Sequence, residues 1–159
     1  MLDFQKNVEA SGANDMDELA ASSTAALLLR VCLGLMFIAH LYWKFARHDG
    51  GVARWWSNLR ADGYPWFVPY YALSAEILGS ALLIPGIYTQ WVCLYAVPLM
   101  LGAAHFWFVR KGFFFTTGGC ELPLLWAVML LVQAILGDGA FALCPPGLPE
   151  ALTLERVEP

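Results

Sequence analysis

The chain has 159 residues, of which 59% are hydrophobic and only 14% are charged. Soluble domains have about 45–50% apolar and about 25% charged residues, so this composition argues against a soluble enzyme, a disordered chain and a nucleic-acid-binding domain. The net charge of −4 comes from the two ends, because residues 1–24 hold one Lys and five acidic residues and residues 139–159 hold one Arg and three. Between them lie long uncharged runs, which are typical of an integral membrane protein in contact with the lipid bilayer.

Four windows of the chain are long and apolar enough to cross a membrane as helices, which requires about 20 residues each. Pro69 lies in the first turn of the second window, and Pro85-Gly86 ends that window in a tight hairpin. The sequence therefore predicts an all-α, integral membrane four-helix bundle over residues 25–141, between a polar acidic N-terminal tail at 1–24 and a C-terminal tail at 142–159. The predicted spans are 25–45, 66–84, 89–110 and 121–141.

The connection between the first two spans contains a short amphipathic segment. Residues 52–60 read VARWWSNLR and place Val52, Trp55, Trp56 and Leu59 at helical spacing. Such a pattern is typical of a helix that lies in the membrane interface. We therefore predict an interfacial helix at about 52–60, between spans one and two.

An even number of spans places both termini on one side of the membrane, here called the tail face. The connections 46–65 and 111–120 then lie on the opposite side, here called the loop face. Most cations of the membrane domain are near the loop face, and by the positive-inside rule the loops would be cytoplasmic. The orientation stays open, because cations that belong to a functional site do not show which side of the membrane is cytoplasmic. Aromatic residues at the loop face, including Trp66 and Trp107, fit either lipid anchoring or a pocket lining.

Ionisable side chains within spans cost about 2.5–3.5 kcal/mol each at mid-helix, so each one is a candidate site residue. His40 and His105 lie at equal depth, about 7–8 Å below the loop-face ends of their spans. Helical phase places Arg30, Gly34, His40 and Lys44 on one inward stripe of the first span. Arg30 is far from Lys44 along the helix and is expected to pair separately, with a backbone carbonyl, Glu76 or tail-face headgroups. The candidate catalytic residues are His40, Lys44, Glu76, His105 and Glu121, and the candidate cofactor-binding residues are Arg30, Trp66 and Trp107.

Three kinds of chemistry fit these polar residues. They could form a purely structural network of interhelical pairs. They could also line a quinone or small-anion pocket, in which Lys44 attracts negative charge and His40, His105 or Glu76 exchanges protons with the ligand. The third alternative is haem or metal ligation, for instance by the imidazoles of His40 and His105. The sequence lacks a C-x-x-C-H motif, which excludes covalent haem attachment.

Several short motifs, taken in order, resemble those of the DoxX-like family of small four-helix membrane proteins. They are Arg30 with the following LGLMFIAHLYWK, then GYP at 63–65, AEILG at 75–79 with LLIPGIYT, the His105 region, GFF at 112–114 and GCELP at 119–123. The resemblance runs from about Leu27 to Gly139. It implies a multi-pass protein of the bacterial or archaeal plasma membrane. The family's recurrent polar residues correspond to Arg30, His40, Lys44, Glu76, His105 and Glu121.

The resemblance also bears on function, because members of the family are subunits of thiosulfate:quinone oxidoreductases or partners in other membrane redox systems. We expect a subunit of a membrane redox complex with a quinone or small-substrate pocket near the loop face. The alternatives are a non-catalytic accessory or assembly subunit and a haem- or metal-binding bundle. Whether the chain is an enzyme stays open; if it is, it is a quinone-linked oxidoreductase subunit. Expected partners are the lipid bilayer, other subunits of a membrane complex or a second copy of the chain, and no nucleic acid.

Overall fold

The computed structural model describes the backbone of residues 2–143 and the side chains of residues 14 and 16–143. Nearly all of the predicted C-terminal tail lies outside these residues. The described part is all-helical, as predicted, with five α-helices and no strand. A π-helical turn, Trp43–Arg47, extends the first helix, and a short 3₁₀ turn, Phe115–Thr117, precedes the last one. The helices are α1 (Leu2–Tyr42), α2 (Gly51–Ala61), α3 (Val68–Leu82), α4 (Thr89–Lys111) and α5 (Glu121–Leu136).

Two stretches of the described chain are long and apolar enough to cross a membrane, Met16–Arg47 and Thr89–Lys111. The other two predicted spans form shorter helices, since α3 has 15 residues and α5 has 16. At 1.5 Å per residue these are about 23–24 Å long, less than the hydrocarbon core of about 30 Å. The fourth span was predicted to reach residue 141, but α5 ends at Leu136 because Gly137 adopts a φ of 74°. Length and composition thus identify two candidate membrane helices, in α1 and α4.

The first helix begins far earlier than the predicted start of span one. The backbone is helical from Leu2, so residues 2–24 are an N-terminal extension of α1. Acidic residues, Ala and Leu in this segment have adequate helix propensity, and no Pro interrupts it. The polar N-terminal segment is therefore continuous with the membrane helix in secondary structure.

The four long helices pack in a ring. The most extensive packing is of α4 against α5 and of α1 against α3, while α3 with α4 and α1 with α5 complete the ring. Leu33, Phe37, Leu83, Cys93 and Leu130 form the centre of the core and are fully buried. Large apolar side chains also cover the outside of all four helices, for example Leu35, Ile77, Leu101 and Ile135. An apolar core with an equally apolar exterior is what a lipid environment favours.

Contacts between the connections define the two ends of this ring. At the loop face, Arg110 at the end of α4 pairs with Asp62 at the end of α2, with Nη2 and Oδ2 3.1 Å apart. At the tail face, the amide of Thr89 donates to Oδ1 of Asp138 at 2.8 Å. The amide of Leu143 also donates to the carbonyl of Pro85 at 3.0 Å, which joins the segment after α5 to the predicted α3–α4 hairpin. Consequently α1 and α4 run from the tail face to the loop face, and α3 and α5 run back.

Helix α2 confirms the predicted amphipathic segment. Val52, Trp55, Trp56 and Leu59 are all half-buried, whereas Arg54 and the remaining polar residues of the helix are exposed. The apolar side of α2 thus faces the rest of the protein at the loop face.

Candidate functional site

A buried ion pair joins α1 and α3 near the loop face. Nζ of Lys44 donates to Oε1 of Glu76 at 2.6 Å and to Oε2 at 2.7 Å. The two side chains are only 6% and 3% exposed. Lys44 lies within the π-helical turn, a local departure from α-helical geometry that is frequent at functional sites. The pair therefore places two ionisable groups, each satisfied by the other, inside an apolar bundle.

The interfacial helix covers this pair. Nζ of Lys44 lies 4.0 Å from the centroid of the Trp55 indole, in a cation–π contact. Trp56, the next residue, instead packs edge-on against Tyr70 of α3 with ring centroids 4.3 Å apart. Lys44 is thus enclosed by the Glu76 carboxylate from α3 and by the Trp55 ring from α2.

His40 lies four residues before Lys44, on the surface of the bundle. Its ring packs edge-on against Trp126 of α5 with centroids 4.7 Å apart. Our prediction that His40 shares the inward stripe was wrong, since Arg30, Gly34 and Lys44 are buried and His40 is exposed. The reason is phase: ten residues at 100° each turn His40 about 80° away from Arg30.

The remaining predicted site residues lie apart from the ion pair in their described contacts. His105 is exposed on α4, and the described part of the chain offers it no hydrogen bond or ion pair. Glu121 accepts a hydrogen bond from the amide of Phe115 at 2.9 Å and so holds the turn before α5. Trp66 and Trp107 are exposed and contact only neighbouring aromatic rings among the described aromatic pairs.

Arg30 belongs to a separate cluster at the tail face. Its side chain is 1% exposed, and Nη2 donates to the carbonyl of Phe141 at 2.5 Å. A backbone carbonyl was one of the partners the sequence predicted. Nε and Nη1 have no partner among the described residues, although Asp138 lies within electrostatic range. Gly86 makes this arrangement fit, because a Cβ at that position would overlap the guanidinium.

Two aromatic residues of the site escaped the sequence reasoning. Trp55 was recognised only as part of the apolar stripe of an interfacial helix, and Trp126 only as an apolar residue of the last span. The available signal for Trp55 was a cation, Lys44, at the end of the first span, followed by a Trp-rich amphipathic segment. No comparable signal existed for Trp126, because its contact with His40 joins α1 to α5, two neighbouring helices of the ring that are far apart in sequence.

The arrangement can hold and transfer protons but does not gather a metal-ligand set. Lys44 provides an ammonium group and Glu76 a carboxylate, and His40, four residues before Lys44, provides an imidazole. No group of three or more His, Cys, Asp or Glu side chains comes together within residues that the structure describes. The geometry therefore favours acid–base chemistry or ligand polarisation at this point.

The all-helical fold of the described residues, its apolar exterior and the two candidate membrane helices are features of a membrane protein. The DoxX family profile matches residues 25–111, more than half of the chain, so the protein belongs to the DoxX family. This confirms the resemblance of the sequence motifs. No curated protein and no solved structure gives a significant match. The matched range contains Arg30, His40, Lys44, Glu76 and His105 and ends before Glu121.

Proposed function

We propose that the protein is a four-span subunit of a membrane redox complex and binds a quinone, or a similar small substrate, beside the Lys44–Glu76 pair at the loop face. The single observation that carries this proposal is the buried, bidentate ion pair of Lys44 and Glu76. The proposed location is the plasma membrane of a bacterium or archaeon, and the proposed partners are lipid and the other subunits of the complex.

Helix directions support four spans although α3 and α5 are short. If α1 and α4 both cross the membrane, and both run from the tail face to the loop face, α3 must cross in the opposite direction to connect them. Helix α5 likewise begins at the loop face and ends beside the N-terminus of α4. A short hydrophobic length can be accommodated by local thinning of the bilayer or by flanking aromatic residues.

The free-energy balance of the buried ion pair favours a role beyond holding the helices together. Replacing a buried ion pair by apolar residues of similar volume is often neutral or stabilising, because desolvation offsets the attraction between the charges. Stability alone therefore does not require Lys44 and Glu76. Quinone reduction takes up two electrons and two protons. The Lys44 ammonium group can donate one proton and protonated His40 the other, and the Glu76 carboxylate can accept a replacement proton from the interface. The electrons would come from a donor oxidised by a partner subunit.

Binding of a short-chain quinone to the purified protein in nanodiscs, measured by calorimetry, tests this proposal. Glu76→Gln and Lys44→Met should each weaken or abolish binding. The matched control is Asp62→Asn, which removes a carboxylate from the half-exposed Arg110 pair at the same face and should leave binding unchanged. A wild-type protein that binds no quinone would refute the proposal.

The double variant Lys44→Met/Glu76→Leu separates a functional from a structural role. Each single substitution leaves an unpaired buried charge and should cost about 3–5 kcal/mol of unfolding free energy. The double variant should recover most of this loss while quinone binding stays absent. If binding returned together with stability, the pair would only support the fold.

A second candidate function is that of an accessory subunit without chemistry. Exposed aromatic residues at the loop face favour it, because Trp66 and Phe114 are each 68% exposed and offer a contact surface. Co-purification distinguishes the two: a homo-oligomer that is active by itself contradicts the accessory role. Haem or metal binding through His40 and His105 would require a Soret band or stoichiometric metal in the purified protein.

A further inference from the structure

Helix α2 is only loosely attached to the bundle. None of its residues is buried. Its described aromatic and ionic contacts with the rest of the protein are Trp55 with Lys44, Trp56 with Tyr70, and the Asp62–Arg110 pair just after its end, and Val52 and Leu59 are half-buried on the same side. The two charged groups of that pair are 38% and 37% exposed, and such pairs contribute little to stability. Few and exposed contacts are the features of a segment that opens locally.

Glycines with positive φ flank α2 at both ends. Gly50 precedes it with φ of 78°, Gly51 is its first residue with φ of 64°, and Gly63 follows it with φ of 86°. Glycine adopts such angles without steric cost and also reaches the other regions of the backbone map. A Cβ at position 63 would meet nothing within 4 Å, so the glycine is needed there for the backbone conformation and not for close packing. These positions can absorb the angle changes of a hinge.

Trp55 closes the space above Lys44 that Glu76 leaves uncovered. Both carboxylate oxygens of Glu76 accept from Nζ, and the indole lies on Nζ from the α2 side. The Trp55 ring is itself half-buried, whereas Lys44 is buried. Displacing one partly exposed ring would therefore open the ammonium group and the carboxylate to the membrane interface.

We propose that α2 is a hinged lid over the Lys44–Glu76 pair and that Trp55 is the residue that closes it. When α2 lifts, the pair becomes accessible from the loop-face interface, and a ligand with a flat aromatic ring can enter where the indole was. The identity of that ligand as a quinone rests on the proposed function. The lid itself does not, and the experiment below measures the two separately.

Amine labelling measures the lid directly. The full-length protein in nanodiscs is treated with a water-soluble amine-reactive ester, and the modification rate of Lys44 is followed by peptide mass spectrometry. Exposed Lys111 provides an internal reference for reagent concentration. Trp55→Ala should raise the Lys44 rate about tenfold, as expected if lid opening loses a contact of about 1.4 kcal/mol. Trp55→Phe retains a ring and should give a smaller increase.

The matched control is Asn58→Ala, which removes an exposed polar side chain of the same helix that makes no described side-chain contact with the bundle. Its Lys44 rate should stay close to that of the wild type. Equal rates in the wild type and Trp55→Ala would overturn the proposal. Equal increases in Trp55→Ala and Asn58→Ala would also overturn it, because they would reflect general loosening of α2.

A second measurement connects the lid to the ligand. Stopped-flow mixing with the short-chain quinone should show faster association in Trp55→Ala than in the wild type, and no change in Asn58→Ala. If Lys44 labelling rises in Trp55→Ala while no variant binds quinone, the lid is supported and the proposed quinone function fails. If quinone binds at the same rate in all variants and Lys44 labelling is unchanged, the lid fails and the proposed function stands.

Discussion

At the residue scale, the two buried cations Lys44 and Arg30 differ in how their hydrogen-bond donors are satisfied. Lys44 has a carboxylate partner that accepts two hydrogen bonds. Arg30 is just as buried but bonds only to the carbonyl of Phe141, with two nitrogen atoms unpartnered among the described residues. Buried donors without partners are costly. The Arg30 cluster therefore lowers the free energy of unfolding, whereas the polar groups of Lys44 and Glu76 satisfy each other's hydrogen bonds.

This difference predicts how substitutions of Arg30 affect stability. Arg30→Met should leave the unfolding free energy within about 1 kcal/mol of the wild type or increase it, because an apolar side chain of similar length removes a poorly paired buried charge. Arg30→Lys should cost about 1–3 kcal/mol, since the charge stays and the bond to Phe141 is weakened. Reversible chemical unfolding in detergent measures both. A Met variant less stable than the Lys variant would contradict this account.

At the element scale, glycines determine how closely α1 approaches α3. A Cβ at Gly79 would overlap the ring of the fully buried Phe37, and one at Gly34 would lie 2.6 Å from Cγ1 of Ile84. Small residues at such contacts let membrane helices pack closely. The sequence placed Gly34 on the inward stripe of the first span, but its contact with Ile84, just after α3, followed only from the structure.

Gly79→Ala and Gly102→Ala form a matched pair that tests this packing. Gly79→Ala should cost about 1–3 kcal/mol of unfolding free energy, because Phe37 has no space to move aside. Gly102 is also within a helix, but a Cβ there meets nothing within 4 Å. Gly102→Ala should therefore be neutral or stabilising by up to about 1 kcal/mol. The same unfolding assay gives both values, and equal effects would show that close approach at Gly79 is unimportant.

At the scale of the whole molecule, the ring of helices places the two polar clusters at opposite ends. Lys44 and Glu76 lie near the loop face, while Arg30, Thr89 and Asp138 lie at the tail face. Between them is the apolar core around Leu33 and Phe37. The two clusters are therefore separated by the apolar core and do not contact each other.

Cysteine accessibility tests the four-span arrangement. In a variant without its four native cysteines, single cysteines at the exposed positions Ser57, Thr116 and Tyr88 are labelled with an impermeant thiol reagent in sealed vesicles. Ser57 and Thr116 should react from one side, and Tyr88, in the α3–α4 hairpin, from the other. Reaction of Tyr88 from the same side as Ser57 would mean that α3 does not cross.

The sequence by itself determined where the helices of residues 25–136 lie, because hydrophobic runs, turn residues such as Pro85-Gly86 and the spacing of Trp55 and Trp56 act locally. It did not predict that α1 begins at Leu2. It also selected Lys44 and Glu76, since charge within apolar segments is conspicuous. The early end of α5 could not be predicted, because it depends on the conformation of Gly137 and on Asp138 binding the N-terminus of α4. Only the tertiary structure decided that Glu76, and not another acid, pairs with Lys44 and that Trp55 covers them. Those facts depend on how helices distant in sequence rotate against each other, which no local pattern encodes.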